Sequence, residues 1–502
     1  MIEAHADHRV SRAFNTSLYC IVTLIAAVYY FFLVMDGSLN LFKPVYHFWT
    51  WGMTFNSMLE HLLHGEFDVD PQAIGPEGFV RNGKTYTYFG IVPALLRLPL
   101  VPIGALAWFD ATRLYCALAA TAALCFKLAT VALINDKLPK SRLQAIAFFV
   151  IVLSLLFGGA QIQFLNGSLY QEAILWAGAI AAGFVYCAIR GLIAKREFST
   201  GLIAVMASLA GLGLLTRVST ALGLYVSTGL LILVLAWPAT GPLRDRLPTF
   251  ARGLASRRTV VALAILLGFA ALSGVVNYHR TGDPLTFSDV GGYLLFKAEP
   301  ERLTRLVTYG NFNIQRLWYG ILYYFLPIWA IVRPDGQLLF SAFETRMVDC
   351  AQPMPASFLL SDPLLLMLGG AGLLRLPRAR VLDLRAVSAL MIGLLIPVLL
   401  ILTFADMAFR YRMEFHPFLE YTAFLGFYAI CGGSGQFSEL SRSSLSRMLI
   451  ASAGLGIVCS HLLLFLSKIS PIGCISAPSE WIDYDFIQLK LLFPSIAQRL
   501  HL

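Results

Sequence analysis

The sequence predicts an all-α, polytopic membrane protein with about 11 transmembrane helices and two large loops on one side. Three observations carry this expectation. Hydrophobic residues make up 58% and charged residues 13% of the 502 residues, more apolar surface than a water-soluble chain of this length can hide. Eleven apolar runs approach the roughly 20 residues that a span needs. Most of the polar chemistry is gathered into residues 36–110 and 277–358, which alternate counting puts on the same membrane face.

The expected spans are 17–35, 111–134, 143–158, 169–189, 200–216, 218–237, 259–276, 357–374, 386–404, 417–433 and 448–467. The run after Arg12 is long and no small-residue cleavage site follows it, so the first span is expected to double as the insertion signal. Lys and Arg fix the expected orientation. With the N-terminus inside, the short inner loops hold 19 of them, while the much longer outer segments hold 16. That excess is the positive-inside pattern. The N-terminus is therefore expected in the cytoplasm and the C-terminal tail outside. The net charge of +9 follows from the same asymmetry and points to anionic inner-leaflet lipid. No arginine-rich arm or other nucleic-acid motif accompanies it.

The first outer loop begins with residues 38–64, read as an amphipathic helix at the interface, with Phe42, Tyr46, Trp49, Met53, Met58 and Leu62 at near-helical spacing. A Gly- and Pro-punctuated stretch, Gly65 to Gly83, carries Glu66, Asp68, Asp70 and Glu77. The following aromatic segment, Thr85-Tyr-Thr-Tyr-Phe-Gly-Ile-Val-Pro, leads to prolines at 93, 99 and 102, which argue for a re-entrant or surface-lying path. In the second outer loop, residues 313–332 hold Trp318, Tyr319, Tyr323, Tyr324 and Trp329. Counting them as a span would turn the Arg375–Arg385 cluster outward, so an interfacial helix is expected instead. Six of the eight cysteines fall in spans. Cys350 and Cys474 fall on the outer side and are candidates for a disulfide in an oxidising compartment.

Acidic groups close to a bilayer are costly unless paired or solvated. Asp36 directly follows the first span, and Asp68, Asp70 and Glu77 share its loop. One such carboxylate can deprotonate an acceptor hydroxyl, and a pair such as Asp68 and Asp70 can hold a divalent cation, Mg2+ or Mn2+. The bland alternative is loop solvation and turn capping. The cationic counterparts are Lys84, Arg97, Arg113, Arg217, Arg410 and Arg412. Arg217 could simply snorkel to the interface. Arg410 and Arg412 suit a bidentate grip on a headgroup-level phosphate, or internal pairing with Asp406 and Glu414. Glu172, at the outer end of a span, is a substrate contact or a cap. Tyr86 and Tyr88 suit stacking on a sugar face or packing in an aromatic belt. His47, His64 and His416 lack companions at ligand spacing.

Taken together, Asp36 after the first span, Gly83-Lys-Thr-Tyr-Thr-Tyr-Phe-Gly-Ile-Val-Pro-Ala-Leu-Leu, Leu214-Leu-Thr-Arg-Val-Ser-Thr, Asn277-Tyr-His-Arg-Thr-Gly-Asp-Pro-Leu-Thr-Phe and Arg410-Tyr-Arg-Met-Glu-Phe-His-Pro resemble bacterial integral-membrane glycosyltransferases of the GT-C superfamily. These include relatives of the lipid A aminoarabinose transferases and protein O-mannosyltransferases. The resemblance covers residues 1–433, with 434–502 as a terminal helix and outer tail. It implies a polyprenyl-phosphate-linked sugar donor, a first-loop carboxylate as base (Asp36, Asp70 or Glu77), arginines on the lipid phosphate, and reaction at the periplasmic face of a bacterial inner membrane. One departure stands out: Tyr46-His-Phe-Trp-Thr-Trp carries no acidic pair where such relatives have one. The competing expectations are a transporter of lipid-linked glycans, for which Lys127 is the only ionisable group near mid-span, and a non-catalytic binding protein.

Overall fold

The computed structural model describes residues 19–37, 40, 50–162, 165–195, 197–238, 240, 242–327, 339–351, 357–379, 382–432 and 438–469. The chain starts with helix α1 (Tyr19–Val34). The first loop follows, with α2 (Thr54–Leu63) and a hairpin of β1 (Phe79–Arg81) and β2 (Lys84–Tyr86) turned at Asn82-Gly83. Both turn residues have positive φ, as a two-residue hairpin demands. The helices then run as α3 (Thr112–Asn135), α4 (Arg142–Phe157), α5 (Leu169–Ile189), α6 (Thr200–Leu214), α7 (Val218–Ala236), the short α8 (Leu243–Leu254) and α9 (Arg257–Thr281). In the second loop lie α10 (Pro300–Tyr309) and α11 (Leu317–Phe325). The chain closes with α12 (Pro363–Ala379), α13 (Leu384–Thr403), α14 (His416–Gly432) and α15 (Glu439–Ile469).

Six helices among the described residues are long and apolar enough to cross a membrane: Thr112–Asn135, Leu169–Ala194, Val218–Ala236, Arg257–Thr281, Leu384–Thr403 and Leu440–Leu464. Four shorter apolar helices, Tyr19–Val34, Arg142–Phe157, Thr200–Leu214 and Pro363–Arg375, fall on expected spans. The expected run 417–433 is the helix α14. The aromatic segment of the second loop forms α11, only nine residues long, far short of a crossing.

Local sequence explains where these helices start. Ser141, Ser168, Ser199 and Ser256 each accept a hydrogen bond from a backbone N–H in the first turn of α4, α5, α6 and α9, the usual role of serine at this position. The packing is close where small residues face each other. α12 crosses α14 at Gly372 and Gly426, and a Cβ at Gly426 would fall on the Leu368 carbonyl. α7 meets α13 in the same way, with Gly393 against Ser227 and Gly223 against Pro397.

The first loop is not a detached surface layer. Phe55, Met58 and Leu59 of α2 are buried with Phe89, Ile91 and Leu215, so the observed part of the expected interfacial helix packs inward. The Val92 N–H donates to the Leu215 carbonyl at 3.1 Å, and Gly90 lies so close to that carbonyl that no side chain fits. The proline-rich segment thereby docks on the end of α6.

Candidate active site

Several of the elements that alternate counting assigns to the outer side meet around a cavity of about 260 Å³. Its walls come from Tyr88 to Ile91 of the first loop, Ala173 near the start of α5, the α6–α7 junction from Leu214 to Ser219, the last turns of α9, the end of α13 and Tyr411. Most of this lining is apolar. Arg217 and Arg280 are its cations.

Arg280 sits in the final turn of α9, which stops at Gly282 in the left-handed conformation. It is 3% exposed. One terminal nitrogen donates to the Phe89 carbonyl at 2.8 Å, the other approaches Met58 Sδ at 3.7 Å, and Nε has no partner. Among the described residues no carboxylate pairs with it. A buried, unneutralised guanidinium facing a cavity needs an anion to offset its desolvation. Sequence reading passed over it, because it stood as one more charge in an outer loop.

Arg217 is the residue before α7. Its Nε pairs with Glu414 Oε1, and the hydroxyls of Ser219 and Thr220 donate to the same carboxylate at 2.7 and 2.6 Å. Its guanidinium also stacks on Tyr411 at 5.2 Å. Arg410 lies against Tyr170 and Tyr411, 4.6 and 4.9 Å from the ring centroids. Tyr88, on the cavity wall, donates to Glu77 Oε2 at 3.2 Å. Near Arg410, burial pushes the Asp406 carboxyl up to about 6, against the pull of Arg410 and with Asp349 and Glu77 adding to the rise. Glu77, Tyr88, Tyr170, Tyr411 and Arg410 thus form one cluster at the cavity edge.

Other expected site residues lie elsewhere. Arg412, two positions from Arg410, turns into the protein: it donates to Ser361 Oγ at 2.6 Å, pairs with Asp362 at 3.5 Å and stacks on Phe358 at 4.2 Å. It does not line the cavity; its partners are those of internal pairing, with Asp362 in place of the expected Asp406 and Glu414. Glu172, expected as a substrate contact or a cap, is fully buried against Arg97 Nη2 at 2.8 Å. Tyr86 is buried in β2 and stacks on Phe79. Asp36 pairs with Arg113 Nη1 at 2.7 Å and has a left-handed backbone, φ 53°. Cys474 lies outside the described residues. Cys350 contributes backbone to β3 (Cys350–Ala351), which pairs in parallel with β4 (Asp406–Met407).

A second cluster surrounds His61. Its Nδ1 is 3.0 Å from Asp68 and its Nε2 3.6 Å from Asp70, while Lys84 Nζ is 2.9 Å from Glu66 and 3.4 Å from Asp68. Burial works against ionisation of Asp68, but hydrogen bonds from His61 and Lys84 outweigh it and hold that carboxyl below its usual range. His61, Glu66 and Asp68 can each point a ligand atom at one position, these atoms lying within 4.8 Å of one another. Lys84 already supplies positive charge there, so a divalent ion would have to displace its ammonium. The expected pair is thereby redrawn: Asp70 is the exposed neighbour, and His61 and Glu66 join Asp68.

No protein-family model matches the chain, and no curated protein matches it. Among solved structures it is similar to the oligosaccharyltransferase of Archaeoglobus fulgidus in the apo form, at 13% identity and a TM-score of 0.45, with 95% of this chain and 60% of that one covered. The archaeal oligosaccharyltransferase AglB from the same organism, in complex with an inhibitory peptide and a dolichol-phosphate, gives 15% identity and a TM-score of 0.41, again with 95% and 60% covered. ArnT from Cupriavidus metallidurans bound to undecaprenyl phosphate gives 14% and 0.40, covering 96% of this chain and 72% of that one. The chain spans about 60% of the length of the oligosaccharyltransferase.

Proposed function

We propose that this protein is an inverting glycosyltransferase of the bacterial inner membrane, moving a sugar from a polyprenyl-phosphate-linked donor to a hydroxyl-bearing lipid, glycan or protein acceptor at the periplasmic face. The observation that carries the reading is Arg280, a buried cation with no carboxylate partner among the described residues, on an apolar-walled cavity where both large loops meet. A lipid phosphate has the matching chemistry: an anion for Arg280 and Arg217, joined to a chain that tolerates apolar walls. Arg410, on the tyrosine rings beside it, adds positive potential.

In this reading Glu77 takes the proton from the acceptor hydroxyl, and the oxygen attacks the anomeric carbon. The bond from that carbon to the phosphate oxygen breaks, and polyprenyl phosphate leaves with the electron pair. Arg280 and Arg217 stabilise the charge that grows on the leaving phosphate. Tyr88 orients Glu77 through its hydrogen bond. Asp36 is the competing base, favoured by its strained left-handed backbone, since such strain persists where surroundings enforce it. A divalent cation, where one takes part, would be held by His61, Glu66 and Asp68 with Lys84 displaced.

The test is turnover in proteoliposomes with a panel of polyprenyl-phosphate sugars, read as released polyprenyl phosphate. Glu77→Gln is expected to lower kcat by about 10²–10⁴-fold with donor KM nearly unchanged. Full activity in Glu77→Gln with loss in Asp36→Asn would move the base to Asp36. Movement of intact lipid-linked sugar between leaflets without release would replace the enzyme by a transporter.

A further inference from the structure

A second cavity, of about 580 Å³, opens at the opposite end of the bundle. The first takes Ala173 from the start of α5 and Leu214 from the end of α6. The second takes Tyr186 and Cys187 from the end of α5 and Gly201 to Leu209 from the start of α6. Its floor is apolar, formed by Phe126 of α3 with Leu202, Val205 and Leu209. Phe126 and Val205 are 37% and 49% exposed. Leu209 lies ten residues beyond Ser199 on α6, so the groove descends about 15 Å at the helical rise of 1.5 Å per residue. That is half of a hydrocarbon core of about 30 Å, the depth of one leaflet.

The mouth is polar and carries both signs. Arg190, the exposed first residue of a π-helical segment, Arg190–Lys195, stands on one side. π-helical turns are rare and recur at functional sites. Glu197 and Ser199 are exposed beside it, and the first turn of α6, with the positive end of its dipole, begins directly after Ser199. An anionic headgroup would meet Arg190 and this helix end but would be repelled by Glu197. A headgroup with a phosphate and a protonated primary amine satisfies both.

We infer that this groove is a binding site for a single phosphoethanolamine-headed phospholipid of the inner leaflet, with phosphate on Arg190 and the α6 N-terminus, ammonium on Glu197, and one acyl chain over Phe126, Val205 and Leu209. The site is independent of the transfer chemistry proposed above. Phosphatidylcholine has the same net charge but no N–H to donate to Glu197, and phosphatidylglycerol lacks the cation altogether, so the three lipids separate the contributions.

The full-length protein, purified in a neutral detergent and equilibrated with each lipid carrying identical acyl chains, is to be read for retained lipid by native mass spectrometry. One phosphatidylethanolamine should be retained with about tenfold preference over phosphatidylglycerol, the worth of about 1.4 kcal/mol. Glu197→Gln should erase that preference. Gly201→Trp tests the headgroup end of the site, at the first turn of α6: nothing lies within 4 Å of a Cβ placed there, so the ring enters open space and retention should vanish with thermal stability kept. Equal retention of the three lipids, loss of all lipid to detergent, or an unchanged preference in Glu197→Gln would overturn the assignment. The Glu197 result stands even where the tryptophan variant fails to fold.

Discussion

At the scale of single residues, the cavity's chemistry depends on which side chains are already paired. Arg280→Ala should weaken donor binding by roughly 10- to 100-fold, since hydrogen bonds to a charged group contribute about 1.5–3 kcal/mol, with kcat less affected; titration with polyprenyl phosphate measures it. Arg412→Ala should instead leave Asp362 unpaired, and lower thermal stability before it touches donor affinity. Asp406 gives a pH signature. Burial raises its carboxyl to about 6, so the folded protein holds a proton that the unfolded chain releases near 3.8. The stabilisation from this group is complete below about pH 4 and is lost as pH rises through about 6. Asp406→Asn should flatten that part of a melting-temperature profile; an unchanged slope would mean another group sets it. Sequence pattern singled out Arg217, Arg410 and Arg412 alike but could not separate Arg410 from Arg412, because the 3-10 turn Phe409–Glu414 sends neighbouring side chains to different surroundings. It missed Arg280 because burial of a charge leaves no mark in composition.

At the scale of elements, helix pairs are joined by buried charges and by close backbone approach. Lys127 of α3 pairs with Glu420 of α14 at 2.6 Å, both 2% exposed. Lys127→Met alone should destabilise by about 3–5 kcal/mol by stranding the carboxylate, while the double change with Glu420→Met recovers much of it; thermal unfolding in detergent reads the difference. Lys127, the ionisable group expected near mid-span, is thereby engaged between helices. Gly426→Ala should force α12 from α14 at the Leu368 carbonyl and cost about 1–3 kcal/mol. The spans were legible because a twenty-residue apolar run is a strong signal. The β1–β2 hairpin was not, as three-residue strands carry too little pattern, although Asn82-Gly83 marked its turn.

At the scale of the molecule, alternate counting put the first loop, the α6–α7 junction, the end of α9 and the Tyr411 segment on one side, and the structure gathers them around one cavity. Which side faces out rests on the Lys and Arg bias. Reporter fusions after Lys140 and Arg258 should read cytoplasm, and those after Asp70 and Asp283 periplasm; the reverse would turn the whole protein over. What the sequence could not reveal is convergence, since it places groups by depth and side, whereas the contacts of Tyr88 with Glu77 and of Arg410 with Tyr170 depend on packing among distant segments.

The Lys127–Glu420 pair also bears on how the protein is made. α3 emerges from the ribosome long before α14, and at about 5–20 residues per second Lys127 must wait tens of seconds for its counter-charge. A lone lysine at the centre of a membrane helix costs about 2.5–3.5 kcal/mol to insert. Nascent chains halted before Glu420 should therefore hold α3 poorly, lingering at the insertion machinery or being passed to membrane proteases, whereas those extended past α14 should release and persist.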